Sequence, residues 1–253
     1  MKCNICNGIG WVWKKNSETR YQKACDICQP ALPFDKEEGK SVSLVWITPD
    51  AEKMIGYMAR VSNPSASIND DTSKLISYLI KNEHWSPLEM ANMCLDISTQ
   101  RDVGRQLLRH RSFVFQEFSQ RYQDVGKLEV VPYRIARMQD QKNRQNSVEC
   151  DDDGLIDWWL EKQTNIREWN YTIYEEALKR GIAKEVARTI LPEGLTPTRM
   201  YMNGSIRSWI HFCSLRMGHG TQKETISIAR QCWSILRKEC PSIVEAWEAV
   251  SAA

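Results

Sequence analysis

One short segment, residues 109–122, concentrates side chains that could do chemistry. It reads Arg-His-Arg-Ser-Phe-Val-Phe-Gln-Glu-Phe-Ser-Gln-Arg-Tyr, in which three arginines, a histidine and a glutamate are interleaved with four aromatic residues. Arginine binds phosphate and carboxylate groups through paired hydrogen bonds, and the aromatic residues favour burial of one side of the segment. The segment therefore predicts a site for an anionic, partly apolar ligand such as a nucleotide or a flavin. Without further support, a basic helix end followed by a loop explains the same residues.

A second group of reactive residues lies near the N-terminus. Two Cys-x2-Cys pairs are separated by eighteen residues and consist of Cys3, Cys6, Cys25 and Cys28. This spacing is typical of a four-thiolate zinc site, and the residues between the pairs predict two short strands, 11–13 and 21–23. We expect a zinc ribbon over residues 1–30, whose metal staples a segment too short to build its own core. Binding of nucleic acid or a partner is the second alternative for its role, and a redox dithiol pair is the alternative to zinc.

The remaining cysteines are poor candidates for a nucleophile. Neither a histidine nor a basic cluster flanks any of them in the sequence, and they are Cys94, Cys150, Cys213, Cys232 and Cys240. The glycine-rich phosphate-binding patterns Gly-x-Gly-x-x-Gly and Gly-x4-Gly-Lys are absent as well. A nucleotide would therefore be held by side chains, above all by arginines.

Composition limits the class of protein. The chain has 253 residues, of which 42% are apolar and 26% charged, and a net charge of +2, so nothing draws it as a whole to nucleic acid or membrane. No apolar run approaches the roughly 18 residues of a membrane span, and no signal-peptide core follows Met1. Nine cysteines are an odd number, which argues against a disulfide framework. We expect a cytoplasmic protein.

The elements that must position the reactive residues follow a linker at 31–41 and occupy a second domain, 42–253. Predicted strands lie at 43–47, 90–99, 128–131 and 198–203. Predicted helices lie at 51–60, 72–81, 101–111, 155–179, 184–191, 205–216, 222–238 and 242–250. Long helices without βαβ alternation indicate an α+β fold. The helix at 101–111 would place Arg105, Gln106 and Arg109 on one arc.

The spacing of Arg109-His110-Arg111, seven residues and then Ser119 matches the signature of the flavin-dependent thymidylate synthases, which the chain resembles over roughly residues 43–250. Other segments similar to that family are 84–89 (His-Trp-Ser-Pro-Leu-Glu), 105–111, 187–192 (Ala-Arg-Thr-Ile-Leu-Pro) and 204–212. The resemblance implies the family's fold, a mixed sheet with long helices, here preceded by the small zinc ribbon.

The same resemblance implies which residues form the site. The residues implied for FAD are Ser62, His84, Ser86, Glu89, Arg109, His110, Arg111, Glu117, Ser205, Arg207 and His211. Those implied for deoxyuridylate (dUMP) are Gln106, Arg109, Glu117, Ser119, Gln120, Arg121, Arg188 and Arg216. Arg109, Arg121 and Arg188 would hold the phosphate. Arg216 would be the catalytic residue, because its cation would stabilise negative charge that develops on the pyrimidine.

The implied reaction methylates dUMP to thymidylate (dTMP) without a cysteine nucleophile. Methylenetetrahydrofolate donates the carbon unit, reduced FAD supplies the hydride, and NADPH re-reduces the flavin. Family members are homotetramers with sites shared between subunits, so we expect a homotetramer with no membrane or nucleic-acid partner.

Several residues depart from the family pattern. Asparagine is usual where Gln116 and Ser205 stand, a glycine is common at the position of Gln120, and Gly220 replaces a histidine that is displaced to His219. These changes leave room for a sibling enzyme that makes another C5-modified pyrimidine nucleotide, such as a hydroxymethylated one. A non-enzymatic zinc-ribbon protein that binds nucleic acid is the other alternative, and it predicts affinity that falls steeply with salt and no bound flavin.

Overall fold

Helices and short strands are mixed along the chain in the computed structural model, which describes residues 11–15, 20–24, 41–129 and 131–251. The strands are β1 (Trp11–Lys15), β2 (Arg20–Ala24), β3 (Val42–Ile47), β4 (Asn92–Gln100), β5 (Val114–Glu117), β6 (Arg137–Gln139), β7 (Ser147–Glu149) and β8 (Pro197–Ser205). The helices are α1 (Ala51–Ala59), α2 (Ser73–Lys81), α3 (Arg101–Leu107), α4 (Asp153–Lys179), α5 (Lys184–Ala187), α6 (Ile206–Arg216), α7 (Lys223–Glu239) and α8 (Pro241–Ser251). The predicted α+β class is confirmed.

Four strands form the main sheet, in the order β3-β4-β8-β5. Each pair in this sheet is antiparallel, which corrects the mixed sheet that the family resemblance implies. β4 begins at the end of the sheet where β3 finishes, and β8 begins at the end where β5 finishes. The two strands of each of these pairs therefore run in opposite directions. β4 and β8 pair over nine positions, from Asn92 opposite Ser205 to Gln100 opposite Pro197.

The two faces of β4 and β8 have different chemistry. Met93, Leu95 and Ile97 are fully buried on one face, and Met200 and Met202 lie opposite two of them on β8. On the other face, Asp96 accepts hydrogen bonds of 2.7–3.2 Å from Arg199. The alternation follows from the strand period of two, and it directs the apolar face toward the helices.

Helix α6 is fixed to the apolar face by Trp209. The indole is fully buried, and its Nε1 donates a 2.9 Å hydrogen bond to the carbonyl oxygen of Met93 on β4. Ile228, Ala229 and Leu236 of α7 belong to the same apolar core. No helix in the described part of the chain is long and apolar enough to cross a membrane.

The two N-terminal strands form the predicted hairpin. β1 and β2 pair antiparallel, with Trp11 opposite Ala24 and Lys15 opposite Arg20. Cys3, Cys6, Cys25 and Cys28 lie outside the described residues, as do the hairpin turn and most of the linker. The zinc ribbon therefore stays a prediction.

Two predicted elements differ in the structure. The helix expected to reach residue 111 ends at Leu107, because the chain must reverse before β5 begins at Val114; a hydrogen bond of 3.0 Å from the His110 amide to the Leu107 carbonyl closes that turn. The strand expected at 128–131 is wrong: Leu128, Glu129 and Val131 are not in a strand, and Val130 lies outside the described residues. A short β-propensity run forms a strand only where a neighbouring strand offers its hydrogen bonds.

Gly204 on β8 provides space for Phe113, and this generates a test. A Cβ atom at residue 204 would lie 2.5 Å from a Phe113 ring carbon, well inside van der Waals contact. We therefore expect Gly204→Ala to lower the free energy of unfolding by about 1–3 kcal/mol, measured by urea denaturation. Gly194→Ala is the matched control, because a Cβ atom there would come no closer than 4.0 Å to another side chain, the tip of Arg134. Equal denaturation midpoints for the two variants would contradict this packing.

Candidate active site

The loop between α3 and β5 carries the first part of the signature segment, and Phe113 anchors it. The Phe113 ring is buried against Trp209 and Phe212 of α6, with ring centroids 4.8 and 6.0 Å apart. This contact brings the loop to the C-terminal half of α6, where Arg216 is located. Residues distant in sequence thus meet at one place.

Arg216 and His110 form the central contact of this site. Arg216 donates a hydrogen bond from Nε to Nε2 of His110 at 2.8 Å, so this ring nitrogen carries no proton and the imidazole is neutral. The His110 and Phe212 rings pack edge to face at a centroid distance of 4.9 Å. Nη2 of Arg216 lies 3.5 Å from the Gln106 carbonyl oxygen, a long contact. Nη1 has no hydrogen-bond partner among the described residues and is available to a ligand.

The electrostatics agree with a neutral histidine beside a cation. Burial, with smaller contributions from the charges of Arg216 and His211, lowers the pKa of His110 from 6.5 to about 4. Burial, and then the nearby charge of Arg109, lowers the pKa of Arg216. An arginine still keeps its proton at any physiological pH. The arrangement therefore presents a partly desolvated positive charge, which can stabilise an anion.

The side-chain amide of Gln106, at the last turn of α3, is held by helix α7. Its Oε1 accepts a 3.0 Å hydrogen bond from the Thr225 hydroxyl, and its Nε2 donates to Oε1 of Gln222 at 2.5 Å. Gln222 in turn donates from Nε2 to Glu224 at 2.8 Å. The orientation of Gln106 therefore depends on residues outside the signature.

An ion-pair network continues from Glu224. Arg137 on β6 binds both carboxylate oxygens, at 2.7 and 3.2 Å. Arg134 lies 3.8 Å from the same carboxylate and makes two 2.7 Å hydrogen bonds to Asp102 on α3. The network thus joins α3, β6 and α7 around the Gln106 amide.

Ser119 and Arg121 lie at a second location, facing α5. They line a cavity of about 400 Å³ with Tyr122, Ala183, Lys184 and Glu185. Arg121 donates from Nε to Glu185 at 3.1 Å, and more than half of each side chain is exposed. Arg188 follows directly after α5. Among the described residues, no hydrogen bond joins this group to the Arg216 group.

Glu117 is partly buried and Gln120 is buried. Glu117 Oε1 accepts from the Thr198 hydroxyl at 2.8 Å and lies 3.5 Å from Arg101, so it braces β5 against β8. Gln120 is only 6% exposed, and its Nε2 has no hydrogen-bond partner. A buried donor without an acceptor costs free energy, so this amide is suited to bind a ligand atom.

Six of the residues predicted for FAD fall into three settings. Glu89 and Arg207 form an ion pair between the 3-10 turn Ser86–Glu89 and α6. Ser205 caps α6 by accepting from the amide of Ser208 at 3.2 Å. His84 and Ser86 are exposed at the turn that follows α2, and Ser62 is exposed after α1.

Three arginines and one histidine are the remaining predicted residues. Arg109, Arg111 and Arg188 form no ion pair with another described residue, and His211 is exposed on α6. The charges of the three arginines remain unneutralised by the fold in the described part of the chain. That property is expected of residues that bind an anionic ligand.

A groove of about 580 Å³ lies between α4 and the segment 134–147. It is larger than the cavity at Ser119 and Arg121, and none of the predicted site residues lines it. Trp158 and Trp159 contribute to its wall. No group of three or more metal-ligating side chains occurs among the described residues.

Sequence reasoning missed the residues that support Gln106. Glu224 and Thr225 belong to the first turn of α7, Gln222 is its N-cap residue, and Arg137 belongs to the unpredicted hairpin of β6 and β7. The only signal was an unusual run of polar residues at a helix start, which ordinarily indicates exposure to solvent.

The chain is similar in sequence to one known protein family and to individual proteins. Residues 43–242 match the family described as "Thymidylate synthase complementing protein". A protein of Paramecium bursaria Chlorella virus 1, named "Probable flavin-dependent thymidylate synthase", is 49% identical over 197 residues, covering 78% of this chain and 90% of the relative. The flavin-dependent thymidylate synthase of Synechocystis sp. is 46% identical over 197 residues, covering 78% of this chain and 89% of the relative.

A solved structure also resembles the chain. The UMP/dUMP methylase PolB of Streptomyces cacaoi, crystallised with 5-bromo-dUMP, superposes with a TM-score of 0.72 at 30% identity. The match covers 82% of this chain and 94% of that protein.

The lowered pKa of His110 predicts how stability depends on pH. Between pH 6.5 and about 4 the unfolded chain takes up a proton at this histidine that the folded chain does not, so the free energy of unfolding falls as the pH drops through this window. His110→Gln keeps an acceptor for Arg216 but does not titrate. After allowance for solvent screening, we expect the wild type to lose about 1–2 kcal/mol more than this variant across the window, measured by urea denaturation. Parallel pH profiles would contradict the burial of a neutral His110.

Proposed function

This chain belongs to the flavin-dependent thymidylate synthase family, and we propose that it methylates dUMP to dTMP at the site around Arg216. The family match spans residues 43–242. The proposal rests on the hydrogen bond between Arg216 and His110, residues far apart in sequence, and on the longer contact of Arg216 with the Gln106 carbonyl oxygen. The chain is an enzyme, a flavin-dependent methyltransferase, and the non-enzymatic alternative is set aside.

Arg216 is proposed as the catalytic residue. Its Nε is held by neutral His110, which leaves Nη1 to face the pyrimidine. A cation fixed in this way would stabilise negative charge that develops on the ring, without reorganisation during the reaction. The buried thiols fit no nucleophilic role, because burial raises the pKa of Cys213 and Cys232 well above the ordinary value of a thiol.

The phosphate of dUMP is proposed to bind at Arg109, Arg121 and Arg188, with Ser119 as a further binding residue for the nucleotide. Arg188 forms no ion pair with another described residue, and Arg121 is held only by an exposed contact to Glu185. The buried Nε2 of Gln120 lacks a hydrogen-bond partner and is proposed as a further donor to dUMP, although Gln120 is not among the residues that line this cavity.

The donor set of the chain fits FAD. Arg109 and Arg111 leave two cations without carboxylate partners in the described part of the chain, which suits a pyrophosphate. Glu89, Arg207, His84, Ser86, Ser205, His110, His211, Glu117 and Ser62 are proposed to contact the cofactor. When bound, the flavin supplies hydride chemistry; the side chains bind and orient it. Methylenetetrahydrofolate as carbon donor and NADPH as reductant complete the proposal.

The N-terminal cysteines are proposed to bind a structural zinc ion. Their support is the Cys-x2-Cys spacing together with the antiparallel pairing of β1 and β2 between the two pairs. Two knuckles beside a hairpin are the arrangement of a zinc ribbon.

A homotetramer with shared active sites is proposed for the assembly. The support is an apolar row on α4, where Trp158, Trp159, Ile166 and Trp169 are between 39% and 70% exposed. Several large, exposed apolar side chains on one helix are typical of an interface with another protein.

The proposed activity predicts a spectral and a chemical result. The purified protein should show a flavin absorbance band, alone or after addition of FAD, which shifts when dUMP is added because both ligands share one site. With methylenetetrahydrofolate and NADPH it should form dTMP, identified by chromatography and mass. Arg216→Gln should keep the flavin band and lose turnover by about 100-fold or more, as expected for removal of one charge-stabilising donor.

Arg180→Gln is the control, because Arg180 forms only an exposed pair with Glu176; its turnover should stay unchanged. A parallel assay with UMP tests the substrate range suggested by the Streptomyces cacaoi methylase. A hydroxymethylated product would favour the sibling enzyme, and a protein that takes up no FAD would contradict the proposal.

Native mass spectrometry tests the zinc and the assembly together. The expected mass is that of four chains with one zinc ion per chain, and replacement of Cys3 and Cys6 by serine should remove the metal because two of its four ligands are lost. A metal-free tetramer would contradict the zinc ribbon alone, and a zinc-bound monomer would contradict the tetramer alone.

A further inference from the structure

The orientation of the Gln106 amide is chemically forced by its partners. A carboxylate only accepts hydrogen bonds, so Glu224 must face the Nε2 of Gln222, as the 2.8 Å contact shows. Gln222 then turns its Oε1 toward Gln106. An amide oxygen also only accepts, so the Nε2 of Gln106 must face it, at 2.5 Å.

The hydrogen bond between Gln106 and Thr225 does not select an orientation of the Gln106 amide. Thr225 donates to Oε1 of Gln106 at 3.0 Å, but a hydroxyl can equally accept a hydrogen bond. It would therefore satisfy either orientation of the amide. The direction of the whole row is decided at its other end, by Glu224.

Glu224 is well suited to this task because it stays ionised. Burial opposes its charge, but hydrogen bonds from Arg137 and Gln222 and the charges of Arg137 and Arg134 outweigh that effect and hold its pKa below the ordinary value. Its carboxylate is anchored at both oxygens by Arg137. The end of the row is therefore fixed in charge and in position.

We propose that Glu224, acting through Gln222, is a positioning residue that sets which way Gln106 presents its amide to the nucleotide. The inference rests on the proposed function, in which Gln106 contacts dUMP. One N–H and one oxygen lone pair of Gln106 remain beyond its two bonds to α7. Reversal of the amide would exchange this donor and acceptor in front of the nucleotide.

The variant Glu224→Gln should reverse the row. The shortest bond from Arg137, 2.7 Å, goes to Oε1, so the new amide would keep oxygen there and place its NH2 group toward Gln222. Gln222 would then present its oxygen to residue 224 and its NH2 to Gln106, and Gln106 would turn over. A donor and acceptor mismatch of this kind weakens binding by about tenfold.

The experiment measures the dissociation constant of dUMP by titration calorimetry on the FAD-loaded protein, together with the FAD affinity and melting temperature. Glu224→Gln should weaken dUMP binding about tenfold and leave FAD binding unchanged. The double variant Gln222→Glu with Glu224→Gln should restore dUMP affinity, because a carboxylate at 222 again forces the Nε2 of Gln106 toward it. Glu248→Gln is the matched control, because Glu248 also binds an α7 residue, Trp233, at 3.1 Å but has no contact with Gln106.

Rescue of dUMP affinity by the double variant distinguishes an effect on the orientation of the Gln106 amide from an effect on the stability of the fold. A purely structural role of Glu224 predicts that the double variant stays as weak as the single one, or weaker, and that result would overturn the proposal. If Glu224→Gln does not fold, Gln222→Met serves instead: it keeps the pair of Glu224 with Arg137 and should still weaken dUMP binding, and unchanged affinity would overturn the proposal. Failure of the wild type itself to bind dUMP would instead count against the proposed function.

Discussion

The packing of Phe113 between Trp209 and Phe212 is the contact on which the geometry of the site depends. It fixes the loop that follows α3 to the helix that ends at Arg216. The absence of a side chain at Gly204 makes the contact sterically feasible. Close packing of apolar groups tolerates little displacement, so a hydrogen bond as directional as that from Arg216 to His110 can be maintained between two separate elements.

The arginines of the chain serve two purposes that their sequence context does not distinguish. Arg134, Arg137 and Arg199 bind carboxylates of the fold with two hydrogen bonds or more each. Arg109 and Arg111 have no such partner among the described residues. Internal pairing makes the first group part of the framework, and its absence leaves the second group with unsatisfied donors. The same side chain thus builds the scaffold in one place and is left with free donors for the proposed anionic ligand in another.

Sequence periodicity predicted most helices and the paired strands β4 and β8, because these elements are long and their buried positions repeat regularly. The family signature indicated Arg216 and His110, but not that they touch, since contact between residues 110 and 216 depends on how α6 packs. The hairpin of β6 and β7 was missed because its three-residue strands carry no periodic pattern. The support of Gln106 by Gln222 was missed for a related reason: polar residues at a helix start resemble an ordinary exposed turn.

In the proposed phosphate pocket, the Glu185 carboxylate already accepts a hydrogen bond from Arg121. If phosphate binds there as proposed, it would exchange places with this carboxylate, so binding would be a substitution and not a simple addition. The exposed pair contributes only about 0–1 kcal/mol, so a doubly charged phosphate that also reaches Arg188 would displace it. A singly charged competitor would gain less from the same exchange. In the proposed pocket, Glu185 would therefore favour anions of higher charge.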